Sequence, residues 1–252
     1  MFNMKKIAAD YQPRPDLLTN KVIAITGAGD GIGRVAATTC AAFGATVILL
    51  GRTTQKLEAV YDEIEAAGNP QAAIYPINLE GACAKDYDDM AQAFFDEFGR
   101  IDGLLHNAAD LGERTPLNNY SQDVWLRVMQ TNVNAPFMMT RSLLPVLEHS
   151  SNASILFTGS SVGYEGRAFW GAYAASKAAQ ENLMQTLAQE LEGTTKIRSN
   201  SVNPGATRTN MRAAAYPGEN PATVKTADEL MNLYLYLLSD DSLEHTGQQF
   251  GG

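Results

Sequence analysis

Apolar and polar positions follow two alternating rhythms along the chain. Unbroken apolar runs, VIAIT at 22–26 and TVILL at 46–50, stop beside glycine and predict strands buried on both faces. Stretches with helical spacing follow each: RVAATTCAAFGA, with Gly44 at its end, and QKLEAVYDEIEAAG, closed by Gly68. The same succession gives a strand at AAIYPI, a helix over DYDDMAQAFFDEFG, a strand at IDGLLHN and a long helical region over about 121–149. ASILFTG then predicts a fifth strand, the Ala-rich run from Gly171 to about Glu192 a helix, and KIRSNSVNPG a sixth strand. ELMNLYLYLLS predicts a late helix and GQQF a last strand. Six or seven strands alternating with helices predict an α/β fold, a doubly wound parallel sheet with helices on both faces. No linker rich in Pro, Gly or Ser and no internal repeat divides the chain, so one domain over 1–252 is expected. The stretch 207–225 lacks periodicity and is expected to form a mobile flap.

Composition narrows the function classes. A net charge of −9 with no block of Lys or Arg argues against a nucleic-acid surface and against an anionic membrane surface. No run approaches the ~20 apolar residues of a membrane-spanning helix. The opening MFNMKKIAADYQPRPDLLTN has lysines but no apolar stretch after them, unlike a secretory signal. Cys40 and Cys83 stand apart from each other and from the histidines, so no disulfide framework and no metal site is expected, and both cysteines are expected to be small core residues. A cytoplasmic protein is the expected class.

Candidate chemistry begins at TGAGDGIGR, between the first strand and the first helix. Its spacing is Gly27-x-x-x-Gly31-x-Gly33 rather than G-x-G-x-x-G. Such a loop serves a tight turn, close approach of backbone to a pyrophosphate, and amides at a helix N-terminus facing the anion; a plain structural turn is the alternative. The second strand ends in Gly51 and Arg52 where an acid would accept from the ribose hydroxyls of NAD. An arginine there suits the 2′-phosphate of NADP, although Asp30 would lie near that phosphate and oppose it, and a solvated loop arginine is the bland reading. Within GAYAASKAAQ, Tyr173 and Lys177 stand four apart and become neighbours on a helix, which by itself is an ordinary surface contact.

Together these residues resemble the short-chain dehydrogenase/reductase family in its single-domain, Rossmann-type form, over nearly the whole chain. The motifs are the glycine loop, HNAA (His106 to Ala109), NVNA from Asn132, GSSVG with Ser160, Tyr173-Ala-Ala-Ser-Lys177, NPGATRT (Asn203 to Thr209) and the ending TGQQFGG. DYQPRPDLLTN, WGAYAASK and TRTNMRAAAYP are similar to the family's YciK-like branch of oxidoreductases. The resemblance implies interconversion of a carbonyl and an alcohol by hydride transfer, in the class EC 1.1.1.-, with NADP(H) favoured and NAD(H) left open. It implies a catalytic set of Asn132, Ser160, Tyr173 and Lys177. Tyr173 would be the general acid in reduction and the base in oxidation. A free phenol has a pKa of ~10, so a nearby cation is needed to favour the phenolate. Lys177, with the positive nicotinamide of the oxidised cofactor, is the expected source and would also hold the nicotinamide ribose. Ser160, chosen over Ser161 by its spacing to Tyr173, would stabilise charge on the substrate oxygen. Asn132 would hold a water that relays protons.

Cofactor contacts are implied at Gly27, Asp30, Gly31, Ile32 and Gly33 in the loop and at Arg52 beyond the second strand. Further along they are implied at Asn78, Leu79 and Asn107, at Tyr173 and Lys177, and at Pro204, Gly205, Thr207 and Thr209. Departures from the family pattern are His106 for an asparagine, Ala109 for a glycine, and Asn78 for an aspartate that faces the adenine amine. His106 and His149 are expected to be structural. A small-molecule carbonyl or alcohol should meet a pocket formed by 111–116, the stretch after Ser160 and 207–221. Phe169, Trp170, Met211 and Tyr216 suggest a partly hydrophobic compound. The family's habit implies a homodimer or homotetramer paired through the helices near 121–149 and 171–192. Two other readings compete: a catalytically silent dinucleotide-binding sensor or interaction protein, which would be expected to have lost the Tyr, Lys or Ser, and an epimerase or dehydratase, which would carry a larger C-terminal domain.

Overall fold

The computed structural model describes residues 4–252; residues 1–3, which open the segment set apart from a secretory signal, lie outside the described residues. In chain order the elements are β1 (Val22–Thr26), α1 (Gly31–Ala42), β2 (Thr46–Gly51), α2 (Thr54–Ala66), β3 (Ala73–Pro76), α3 (Ala84–Phe98) and β4 (Gly103–His106). They continue with α4 (Gln122–Met129), α5 (Ala135–Leu147), β5 (Ala153–Thr158), α6 (Gly171–Leu191) and β6 (Ile197–Asn203). α7 (Asn210–Ala215), α8 (Met231–Leu238) and β7 (Gln249–Gly251) complete the order. The seven strands form one parallel sheet in the order β3-β2-β1-β4-β5-β6-β7.

The period of two explains why the apolar runs are unbroken. Along β1, Ile23 and Ile25 face a core layer with α1, α2 and α8, while Val22 and Ala24 face the opposite layer with α3, α5 and α6. β2 divides likewise, with Val47 and Leu49 on one side and Ile48 and Leu50 on the other. Each fully buried Ile or Leu contributes about 1.5–3 kcal/mol, so a sheet coated on both faces needs no polar alternation. β6 is buried along its whole length although its sequence is polar. Most of its polar groups are satisfied internally: the Ser199 hydroxyl donates to Met184 O, Ser201 to Glu181 Oε1, and Arg198 to the Ser239 and Ser242 carbonyls just past α8, with Arg198 Nε left unpartnered among the described residues.

Strand order reverses at β1, which pairs with β2 on one side and β4 on the other. The crevice outside the carboxyl ends of these strands is where such sheets bind ligands. A Thr26 clamp holds its floor: Thr26 Oγ1 accepts from the Asn107 and Ala108 amides at 2.9 and 3.0 Å and donates to Leu105 O.

The helical region expected near 121–149 runs without interruption as α4, a π turn at Gln130–Asn134 and α5. Two expectations need correction. The stretch 207–225 is not irregular throughout: Thr209 caps the short helix α7, and Thr207 and Lys225 form a parallel bridge. Cys40 is a core residue, whereas Cys83 is exposed just before α3. Among the described residues, no helix is long and apolar enough to cross a membrane.

Candidate active site

A single cleft of about 1090 Å³ runs from the glycine loop to α7, along the carboxyl ends of the strands. Its dinucleotide-like half is built from backbone. Gly27 sits at φ +69°, a conformation few L side chains adopt, and a Cβ there would press on Ala108 Cα at 3.1 Å. Gly33 lies on α1 directly against the same loop, and a Cβ there would lie 2.3 Å from Gly27 O. The Ile32 and Gly33 amides belong to the first turn of α1, where N–H groups have no intrahelical partner. Gly31, Arg52, Asn78, Leu79 and Asn107 line the cleft, as do Pro204, Gly205, Thr207 and Thr209.

Asp30 corrects an expectation. Its carboxylate does not stand as a bare negative charge opposing a phosphate. Oδ1 caps the Gly31 amide at 2.8 Å, Oδ2 accepts from Lys56 Nζ at 2.6 Å, and Asn210 Nδ2 donates to both oxygens. The Lys56 ammonium holds the carboxyl below its usual range. Arg52 therefore stands at the end of β2 with its neighbouring acid already paired.

The second half carries the candidate chemistry. Ser160 follows β5, Tyr173 lies in the first turn of α6 and Lys177 one turn on; all three line the cleft. Lys177 is 2% exposed, and its Nζ donates to Thr158 O and Gln180 Oε1, both at 2.8 Å, and stands 5.6 Å from the Tyr173 ring centre. The ammonium is thus turned toward the strand end, not bonded to the phenol. Burial pushes the Tyr173 hydroxyl up to about 12, with the Ser160 hydroxyl beside it acting the other way. Burial also pulls Lys177 down to about 7, opposed by the Glu181 carboxylate. Desolvation disfavours the charged form of both groups, and the Ser160 hydroxyl only partly offsets it at Tyr173.

Asn132 is fully buried in the π turn. Its Oδ1 accepts from the Asp110 amide at 2.7 Å, and its Nδ2 donates to Asp110 O and Ser176 Oγ, each at 2.9 Å. The side chain ties the loop after β4 to α6 at Ser176, the residue before Lys177. His106 is buried, bonded through Nε2 to Thr140, stacked on Phe157 and pulled down to about 3, so it is neutral at physiological pH.

At the far end, Val162, Trp170 and Tyr173 form an apolar wall with Leu111, Met211 and Tyr216. Trp170 both packs and lines the cleft. Of the expected 111–116 stretch only Leu111 lines it, and Phe169 turns outward, 52% exposed at φ +71°. Sequence reasoning missed Arg114, whose guanidinium lies 3.9 Å over Trp170 and 5.4 Å from the Tyr216 ring centre while donating to Phe169 O and Ala215 O. It fastens three loops that are distant in the chain. Lys56 was missed for the same reason, since only folding brings it to Asp30, whereas Gln180 stands at i, i+3 from Lys177 and was legible from helical spacing.

The pKa of Lys177 gives a test in stability. Between about 7 and its ordinary 10.5, the unfolded chain binds a proton at this position that the folded chain does not. Folding is therefore favoured as pH rises through that window, and the burial cost is fully present below it. Lys177→Met removes this dependence. From pH 6.5 to 9.5 the unfolding free energy of the wild type should gain on the variant by on the order of 2–3 kcal/mol, read by urea melts. A constant difference between the two would mean that the ammonium is not held in low dielectric.

Residues 21–220 match the family model described as short chain dehydrogenase. The "uncharacterized oxidoreductase YciK" of Escherichia coli strain K12 is 48% identical over 240 residues, covering 95% of this chain and 94% of that one. A short chain dehydrogenase structure from Pseudomonas syringae superposes with a TM-score of 0.94 at 53% identity, covering 99% of both chains. Another from Shigella flexneri 2a, complexed with NADP, superposes with a TM-score of 0.92 at 47% identity, covering 94% of this chain and 99% of that one.

Proposed function

The chain belongs to the short-chain dehydrogenase family, and on that premise we propose that it is an NADP(H)-dependent oxidoreductase that interconverts a ketone or aldehyde and its alcohol. The observation that carries the reading is the convergence of Ser160, Tyr173 and Lys177 on one cleft whose other end is the glycine loop. The residues present fit a dinucleotide. The loop leaves the Ile32 and Gly33 amides of α1 free of side-chain cover for a pyrophosphate, and Arg52 offers a guanidinium at the ribose end. Asn107 and the Pro204, Gly205, Thr207 and Thr209 loop would flank the rest, with Asn78 accepting from the adenine amine. When bound, the nicotinamide supplies or accepts the hydride.

The roles of the chain's own groups follow from their surroundings. Tyr173 is protonated at neutral pH and donates its hydroxyl proton to the oxygen of a carbonyl being reduced. Ser160 donates a hydrogen bond to that same oxygen as negative charge builds on it. Lys177 is held by Thr158 O and Gln180 with its amine near the Tyr173 ring, where it would also hold the nicotinamide ribose. Asn132 sets the spacing between the loop after β4 and α6. A silent sensor on this fold would not need all of these groups in place. The chain is read as cytoplasmic and self-associating; Leu126 and Phe137, exposed on α4 and α5, support pairing through those helices.

NADPH consumption followed by absorbance across a panel of ketones, aldehydes and quinones tests the activity; no turnover with any of them in a protein that binds NADPH would favour the sensor. Arg52 carries the cofactor preference. Arg52→Ala should raise the Kd for NADPH about tenfold to a hundredfold, the value of a charged hydrogen bond, and leave NADH within about twofold. Equal losses for both nucleotides would remove the argument for NADP.

A further inference from the structure

The cleft is lined by six cationic side chains, and four of them are committed. Lys56 pairs with Asp30, Arg127 with Asp110 and Arg212 with Glu219, at 2.6, 2.7 and 2.6 Å. Lys177 is buried against Thr158 O and Gln180. Arg52 and Arg167 are left, and neither guanidinium has an ion pair, hydrogen bond or ring contact among the described residues. They stand at opposite ends: Arg52 closes β2 beside the glycine loop, and Arg167 lies between β5 and α6, three residues before Trp170. Asp30 and Asp110 already have partners, and Glu80 follows Leu79 at the dinucleotide end. Glu165, the acid nearest to Arg167 in sequence, does not line the cleft.

The backbone at Arg167 is held in a turn, while its side chain is exposed at the rim of the cleft. Arg167 O accepts from the Trp170 amide, closing the turn that carries Trp170 into the wall. In that turn Phe169 adopts a left-handed backbone and points to solvent, while Trp170 is buried. Arg114 pins the same turn through Phe169 O and the Trp170 ring. A free guanidinium is thus mounted on a braced turn at the edge of an apolar chamber, in a protein whose net charge of −9 would otherwise repel anions.

We propose that the substrate is an anionic carbonyl compound, whose carboxylate or phosphate pairs with Arg167 while its apolar or aromatic body lies against Val162, Trp170, Met211 and Tyr216. This deepens the oxidoreductase reading and rests on it for the word substrate. Guanidinium presents a planar donor fork that matches either oxyanion. The apolar walls give the body a place but no means of choosing its charge, so Arg167 supplies the selection.

The test compares three aldehydes of one shape: 4-carboxybenzaldehyde, 4-formylphenyl phosphate and the neutral methyl 4-formylbenzoate. With NADPH, the wild type should favour at least one anion over the ester by about tenfold or more in kcat/KM, the value of a charged hydrogen bond. Which anion wins separates carboxylate from phosphate. Arg167→Gln should collapse that ratio to near one, and Arg167→Glu should invert it. A wild type without preference, or variants that slow anion and ester alike, would overturn the proposal. Binding is read in parallel from quenching of Trp170 fluorescence in a Trp125→Phe background, since Trp125 stands outside the cleft. Anion-selective quenching lost in Arg167→Gln, without turnover, supports the recognition while removing the hydride-transfer reading. Turnover without selectivity does the opposite.

Discussion

Tyr173→Phe is expected to lower kcat by about 10²–10⁴-fold while the Kd for NADPH stays within about twofold. The substitution removes one oxygen and keeps the ring, which is 8% exposed and lies 5.7 Å from the Trp170 ring, centre to centre. Packing of the wall and of α6 should survive, so a folded, cofactor-binding protein without turnover is the expected phenotype. With burial holding the phenol at about 12, the wild type is protonated across the usable pH range. Its reductive rate should therefore show no loss from Tyr173 ionisation below about pH 9 in the protein groups alone. Turnover of the variant at the wild-type level would take the proton-donor role away from this residue.

The second large effect is structural. Gly33→Ala places a methyl 2.3 Å from Gly27 O and 2.8 Å from Gly27 C, with Asn107 Nδ2 at 2.5 Å. The first two are backbone atoms. Gly27 cannot retreat, because Ala108 lies against it on the far side and is itself bonded to Thr26. Relief requires α1 to move off the sheet, at a cost on the order of 3 kcal/mol and a fall in Tm of about 6–12 °C. The same movement displaces the amides meant for the pyrophosphate, so NADPH affinity should fall more than tenfold. Gly218→Ala is the control: nothing lies within 4 Å of the added carbon, and its Tm should be unchanged. A Gly33→Ala protein with wild-type Tm and NADPH affinity would mean that the loop and α1 are not in contact as described.

The sheet was legible because burial on both faces forces unbroken apolar runs, and VIAIT, TVILL and ASILFT have no other reading at that length. The ends of the first three helices were legible at Gly44, Gly68 and Gly99, where the backbone turns left-handed. The residues of the site were legible only as a set, through a resemblance. Their electrostatic state was not. Helical spacing puts Lys177 beside Tyr173, but where the ammonium turns depends on Thr158 and Gln180, and whether attraction beats desolvation depends on how dry the cleft wall is. The pairing of Asp30 with Lys56 was hidden similarly: 26 residues separate them, and the loop and α2 meet only once the sheet is formed. α7 escaped notice because six residues of Asn, Met, Arg and Ala make too little pattern for a helical period to register.

The π turn at Gln130–Asn134 has one consequence for how this chain tolerates change. Such a turn carries one residue more than an α-helical path of the same length, and one residue is about 100° of rotation. α4 and α5 are therefore phased independently: Asn132 points inward to Asp110 and Ser176, and Met139, Leu143 and Val146 still point to the core. Deleting a single residue from 130–134 would make the rod regular and force a choice between those two facings. A protein engineer shortening this helix would find that indels here are far costlier than substitutions.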